Sequence, residues 1–113
     1  MGELKLLQGE SINWQFQYTD QEGSPMDLQY YDVYIAAAEE FGAKRELFKY
    51  STITNPEVVI KSDTEIGVTN VVIPDTTGFK PGKYILEMAY KNRVAGLTSK
   101  PDHVRLIVER GIL

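Results

Sequence analysis

Ile12-Asn13-Trp14-Gln15-Phe16-Gln17-Tyr18 alternates apolar and polar residues without a break. Successive side chains on a β-strand point to opposite faces, so one face of this stretch is wholly apolar and the other polar and uncharged. Wound into a helix, the same residues would scatter around the axis. Only a strand lying on a core uses the pattern well, and we expect one over Ile12–Thr19. Asp20-Gln21-Glu22-Gly23-Ser24-Pro25 follows at once and reads as a turn.

The rest of the chain repeats this rhythm. Leu4–Leu7 reads as a first edge strand ended by Gln8-Gly9-Glu10, and Met26 and Leu28 re-enter the core. Val33–Phe48 admits two readings. In the favoured one, Asp32–Ala38 and Glu46–Ser51 are strands joined through Glu39–Lys44, with room for one short helical turn near residues 39–45. The apolar residues on both faces of Asp32–Ala38 then suit a central strand covered on two sides. In the other, a helix capped by Asp32 runs through the segment, and Gly42 costs it about 1 kcal/mol. Val58-Val59-Ile60, Gly67–Ile73, Tyr84–Tyr90 and Val104–Val108 are further strands, and Val94–Leu97 extends a hairpin. Lys80-Pro81-Gly82 has the signature of a type II turn, with Pro setting φ and Gly supplying positive φ. Seven to nine short strands with turn signals between them predict an all-β sandwich or barrel. No linker or internal repeat divides residues 1–113, so one β-sandwich domain is expected.

Composition excludes several function classes. The 113 residues carry 12 Lys and Arg against 16 Asp and Glu, a net charge of −4, so the basic field that nucleic acid demands is missing. With no cysteine there is no disulfide, thiolate nucleophile or Cys-based zinc site. The longest apolar run, Val33–Ala38, is far too short to cross a membrane as a helix. Met1-Gly2-Glu3-Leu4-Lys5 has no apolar segment of the kind a signal peptide needs, so synthesis in the cytoplasm is expected.

Two resemblances go further. Gly82-Lys83-Tyr84-Ile85-Leu86 resembles the start of strand F in immunoglobulin-like domains, where a Tyr caps a corner and a Cys follows two residues on. Leu86 stands at the Cys position, so packing replaces the inter-sheet bridge. Trp14 lies too early to be the core Trp of an antibody-type domain. Gln8-Gly9-Glu10-Ser11-Ile12-Asn13-Trp14-Gln15-Phe16, followed by Asp20-x-x-Gly23-x-Pro25-x-Asp27-Leu28, resembles the opening of small bacteriophage and prophage structural proteins. Pro74 to Thr77 and Lys80-Pro81-Gly82-Lys83-Tyr84-Ile85-Leu86-Glu87 are similar to their second half. Glu87 departs from the usual Asp there, and Lys91–His103 is longer than the usual closing hairpin. This resemblance implies an immunoglobulin-like module of a phage tail or baseplate, similar to the N-terminal domain of upper baseplate proteins. It implies a non-catalytic virion component made in the bacterial cytoplasm. Its implied partners are other virion proteins or copies of itself, and it is oligomeric in the particle.

The candidate sites are modest. His103 is the only histidine, so no His cluster exists, and on a strand its neighbour Asp102 would point away from it. Asp20, Glu22 and Asp27 lack the spacing of a calcium loop. Glu39-Glu40 and Asp63-Thr64-Glu65 read as solvated carboxylates. We therefore expect no catalytic residue, no cofactor and no metal, and no enzyme. The candidate interface comprises Asn13, Gln15 and Gln17, uncharged where an exposed strand is usually guarded by Lys, together with Tyr30 and Tyr31. Two consecutive tyrosines on extended backbone cannot both face the core, whereas Tyr18, Tyr84 and Tyr34 read as core residues. The alternative function is a carbohydrate-binding or adhesion module that aligns Tyr30, Tyr31 and Phe41 on one surface.

Overall fold

The computed structural model describes residues 2–101 and 103–112. Among them are nine strands and no helix: β1 (Glu3–Leu7), β2 (Ile12–Gln17), β3 (Tyr31–Glu39), β4 (Glu46–Ser51), β5 (Val59–Lys61), β6 (Val68–Ile73), β7 (Gly82–Asn92), β8 (Thr98–Ser99) and β9 (Val104–Glu109). They form two sheets. The larger has the order β1-β9-β7-β3-β4, with β8 added on β7, and the smaller has the order β2-β6-β5. This is the expected immunoglobulin-like sandwich, in which β2, β6 and β5 take the places of strands B, E and D.

Alternation builds the core. Ile12 on β2, Val33 and Ile35 on β3, Val71 on β6, Leu86 on β7 and Leu106 on β9 are each at most 2% exposed. At about 1.5–3 kcal/mol per large apolar side chain taken out of water, these inward faces hold the layers together. Tyr18 stacks on Tyr90 at 4.2 Å and meets Tyr31 edge-on at 6.0 Å, so one aromatic column joins the residue that follows β2 to β7 and β3. Lys61 Nζ donates to the carbonyls of Leu28 (3.2 Å) and Tyr31 (3.0 Å), tying β5 to the approach to β3. The Tyr84 hydroxyl donates to the Lys80 carbonyl, the corner that the strand F resemblance implies.

Four local expectations are corrected. No helical turn forms in residues 39–45: Gly42 (φ 77°) and Lys44 (φ 54°) both adopt left-handed backbone, which a right-handed turn cannot include. The β3 strand is central, between β7 and β4, but only its inner face is buried. Tyr34 is therefore not a core residue. With Ala36 it lies half-buried on the outer face, in a shallow depression bounded by Lys49, Glu87 and Lys100, whose aliphatic stems serve as a partial second layer. Met26 is half-buried rather than a full anchor like Leu28. Finally, Lys80-Pro81-Gly82 is not a type II turn. Gly82 has φ 159°, almost extended, because β7 already begins there and the Lys80 carbonyl is taken by the Tyr84 hydroxyl.

Candidate interaction surfaces

The amide-bearing face of β2 forms as its alternation predicts. Asn13, Gln15 and Gln17 are exposed, while Ile12 is buried and Trp14 and Phe16 are half-buried. Gln15 Nε2 donates to Asn70 Oδ1 on β6 at 3.2 Å. The outward side chains of the β2-β6-β5 sheet around this pair, Val72 and Ile60 among them, are uncharged. The outer face of the larger sheet is different. There Lys100 pairs with Glu87 at 3.0 Å, and Arg105 holds Glu40 through two bonds of 2.7 and 2.6 Å. The Arg105 hydrogen bonds keep the Glu40 carboxyl below the usual glutamate range, and the same bonds raise Arg105.

Tyr30 and Tyr31 part company. Tyr30 is 55% exposed, and Tyr31 turns its ring into the aromatic column. Phe41 is 70% exposed but follows the far end of β3. With nine residues in β3 at about 3.3 Å each, Tyr30 and Phe41 stand roughly 25–30 Å apart. The three rings do not form one platform.

The titratable groups are dispersed. His103 is exposed at the entry to β9, and Asp102 lies outside the described residues. Asp20 Oδ1 accepts the backbone N–H groups of Glu22 and Ser24, both at 2.9 Å, so this carboxylate closes its own turn. Asp75 does the same for Thr77, whose backbone and hydroxyl bonds hold its carboxyl below the ordinary aspartate value. Burial pushes Tyr90 up to about 12, with a contribution from Tyr18, and pushes Tyr84 up as well. Among the described residues, no group of three or more His, Asp or Glu is placed to hold a metal ion.

Of the other concavities, an open one of about 430 Å³ lies beside Tyr18 and Pro101, and three more remain. One of about 340 Å³ is lined by Asp27, Lys61, Asp63 and Glu65, but Lys61 is already committed to backbone carbonyls. One of about 500 Å³ lies between Leu7 and Ile112. The third, about 150 Å³, opens between the sheets beside β2, where Phe16, Leu86, Met88 and Val104 are reached from solvent. It is smaller than a typical small-molecule site. The column residue Tyr90 is what the sequence reading missed. Its place in the Tyr84–Tyr90 alternation, on the face of Leu86 and Met88, was the available signal.

No protein-family description and no curated protein matches the sequence. Solved structures match its fold. One chain from the work described as "Structural basis of T cell specificity and activation by the bacterial superantigen toxic shock syndrome toxin-1" superposes with a TM-score of 0.53 and 6% identity, covering 96% of this chain and 94% of that one. Murine CRIg superposes with a TM-score of 0.42 and 12% identity, over 96% of this chain and 93% of its own. At 6% identity the first likeness is one of fold alone, and the second adds nothing to it.

Proposed function

We propose that the chain is a non-catalytic structural subunit of a phage or prophage virion, in the tail or baseplate, acting through contacts with other virion proteins or with copies of itself. The observation that carries this reading is the order of the turn motifs. Asp20-x-x-Gly23-x-Pro25-x-Asp27-Leu28 leads from β2 to β3, and Lys80-Pro81-Gly82-Lys83-Tyr84 opens β7, each at a corner of the sandwich. The uncharged β2 face is further support, because it suits a contact surface better than a solvated one. The other reading, a carbohydrate-binding or adhesion module, is weaker because Tyr30 and Phe41 sit at opposite ends of β3.

The test is to induce a lysogen that carries the gene, band the released particles on a density gradient and identify their proteins by mass spectrometry. Peptides of this chain should co-sediment with tail proteins, and capsid, tape-measure or tail-fibre genes should flank its gene. A chain that stays at the top of the gradient while tail proteins band below would overturn the proposal.

A further inference from the structure

The smaller sheet ends at β2, which is hydrogen-bonded to β6 on one side only. The register decides which backbone groups are left over. The Tyr18 N–H donates to the Gly67 carbonyl, and the same ladder runs through Phe16–Thr69, Trp14–Val71 and Ile12–Ile73. In an antiparallel pair, hydrogen-bonded and non-bonded positions alternate, so these even-numbered residues turn their backbone groups toward β6. Asn13, Gln15 and Gln17 turn theirs out of the sheet. The far side of β6 agrees: the Val72 N–H donates to Val58 and the Val68 carbonyl accepts from Ser62, so the residues opposite Asn13 and Gln17 are bonded on the β5 side. Among the described residues nothing pairs with the outward N–H and C=O groups of Asn13, Gln15 and Gln17.

Soluble proteins guard such an edge with Lys, Pro, a bulge or a covering segment. The β2 strand contains neither Lys nor Pro, and its register with β6 is unbroken. It leaves Trp14 and Phe16 half-buried, and Phe16 lines the open cleft.

We propose that β2 pairs with β2 of a second copy, antiparallel across a twofold axis at Gln15. An isologous contact requires a register that maps onto itself. The one centred on Gln15 uses all three outward residues of each copy and forms about six backbone hydrogen bonds. Asn13 then faces Gln17 of the second copy and Gln15 faces its own counterpart, amide against amide. On the inner side Trp14 faces Phe16 of the second copy, an aromatic pair of the kind that stabilises adjacent strands. No charged residue lies between Ile12 and Tyr18, so no like charges meet across this stretch, which is the complementarity that selects a copy of this strand over a charged peptide. The product is one continuous six-stranded sheet. The inference names the partner that the assembly reading leaves open, and it rests on that reading for its purpose, not for its geometry.

Sedimentation equilibrium of the full chain tests it. The mass should rise with concentration from 12.8 kDa toward twice that value. Gln15→Pro removes an outward donor without touching the β6 ladder, a substitution that an edge strand accommodates. It removes two of the six bonds, and at about 1 kcal/mol each the half-association concentration should rise about thirtyfold. A second pair of variants leaves the backbone alone and reads the register. Asn13→Lys with Gln17→Lys places like charges across the seam and should abolish the dimer, whereas Asn13→Lys with Gln17→Glu places opposite charges there and should keep it. A strict monomer at millimolar concentration overturns the inference. So does a dimer that survives both Gln15→Pro and the double-lysine variant. In either case the assembly reading still stands or falls on the particle experiment alone.

Discussion

Gly67 and Gly96 make a matched pair of probes, and the difference between them should be large. Both adopt left-handed backbone, with φ of 79° and 73°. Replacing either with Ala costs about 1 kcal/mol for that conformation, less what Ala gains by restricting the unfolded chain. These contributions are common to both sites. The surroundings are not. A Cβ at Gly96 meets nothing within 4 Å, whereas one at Gly67 would lie 2.8 Å from the Tyr18 carbonyl oxygen and 3.0 Å from that of Met26. Both obstacles are backbone, so no side chain can swing aside. Relief requires the end of β2 to separate from the Met26 segment, which disturbs the Tyr18 N–H bond to Gly67 (2.8 Å) and the Met26 N–H bond to Tyr18 (2.9 Å). At about 1 kcal/mol each, plus residual overlap, Gly67→Ala should lose roughly 3–4 kcal/mol against about 1 for Gly96→Ala. For 113 residues, 3 kcal/mol corresponds to a fall in Tm of about 12 °C. Urea unfolding followed by the fluorescence of Trp14, the single tryptophan, reads both variants at constant m-value. A difference below about 1 kcal/mol would show that the β2–Met26 crossing yields easily, and the close-approach argument would fail.

Three further outcomes follow from the core. Tyr84→Phe deletes the hydroxyl bond to Lys80 and should lower stability by about 1–2 kcal/mol, or about 6 °C in a thermal melt; an unchanged Tm would mean the corner is held by packing alone. Tyr90, pushed up to about 12 by burial, favours its neutral form when folded, so its contribution is complete below pH 10 and is lost as the pH climbs toward 12. Two pKa units correspond to about 3 kcal/mol, and Tyr90→Phe should flatten the alkaline limb of urea midpoints measured across that range; an equally steep limb in the variant would assign the loss to other groups. The Thr69 hydroxyl is fully buried and has no hydrogen-bond partner among the described residues, so Thr69→Val should raise the urea midpoint by the equivalent of about 1 kcal/mol; a lower midpoint would reveal a partner for it.

Legibility tracked locality. The alternation of Ile12–Tyr18 was readable because β2 is buried on one side and wet on the other, so each residue reports its own face. Val33–Ala38 was ambiguous because alanines fit either side. Its outer face is lined partly by side chains from other strands, Lys49 and Glu87, which no local window contains. Tyr34 was misplaced for the same reason. The Pro81-Gly82 turn failed for a different reason, within one local window: the hydroxyl of Tyr84, four residues on from Lys80, takes the carbonyl a type II turn would use. The exposed amides of β2 were legible, but the edge they line was not. Whether β2 is flanked depends on where β1 goes, and the parallel pairing of β1 with β9 joins residues about a hundred positions apart.

That choice by β1 is enforced by the loop rather than left to chance. A strand ending at Leu7 with another beginning at Ile12 could fold back as a hairpin, and β1 would then cover the β2 edge. Instead the connection is clasped to the loop after β6. The Gly9 N–H donates to the Thr76 hydroxyl at 3.0 Å, and that hydroxyl donates onward to the Glu10 carbonyl. Gln8 Nε2 reaches the Thr77 carbonyl, while the Gln8 N–H continues the ladder to Glu109 on the β9 side. Thr76 is fully buried, so the two bonds of its hydroxyl form where an unmade one is costly. Together they carry β1 across to β9, where Leu6 seals the core, and hold it away from β2. The open edge is therefore a consequence of packing that stabilises the monomer. A side chain adverse to self-pairing, such as a lysine at Gln15, would disturb none of the Thr76 bonds. Beyond the Gln15–Asn70 bond, the packing of the monomer gives no reason for the uncharged composition of the edge, and the proposed second copy of the strand would supply one.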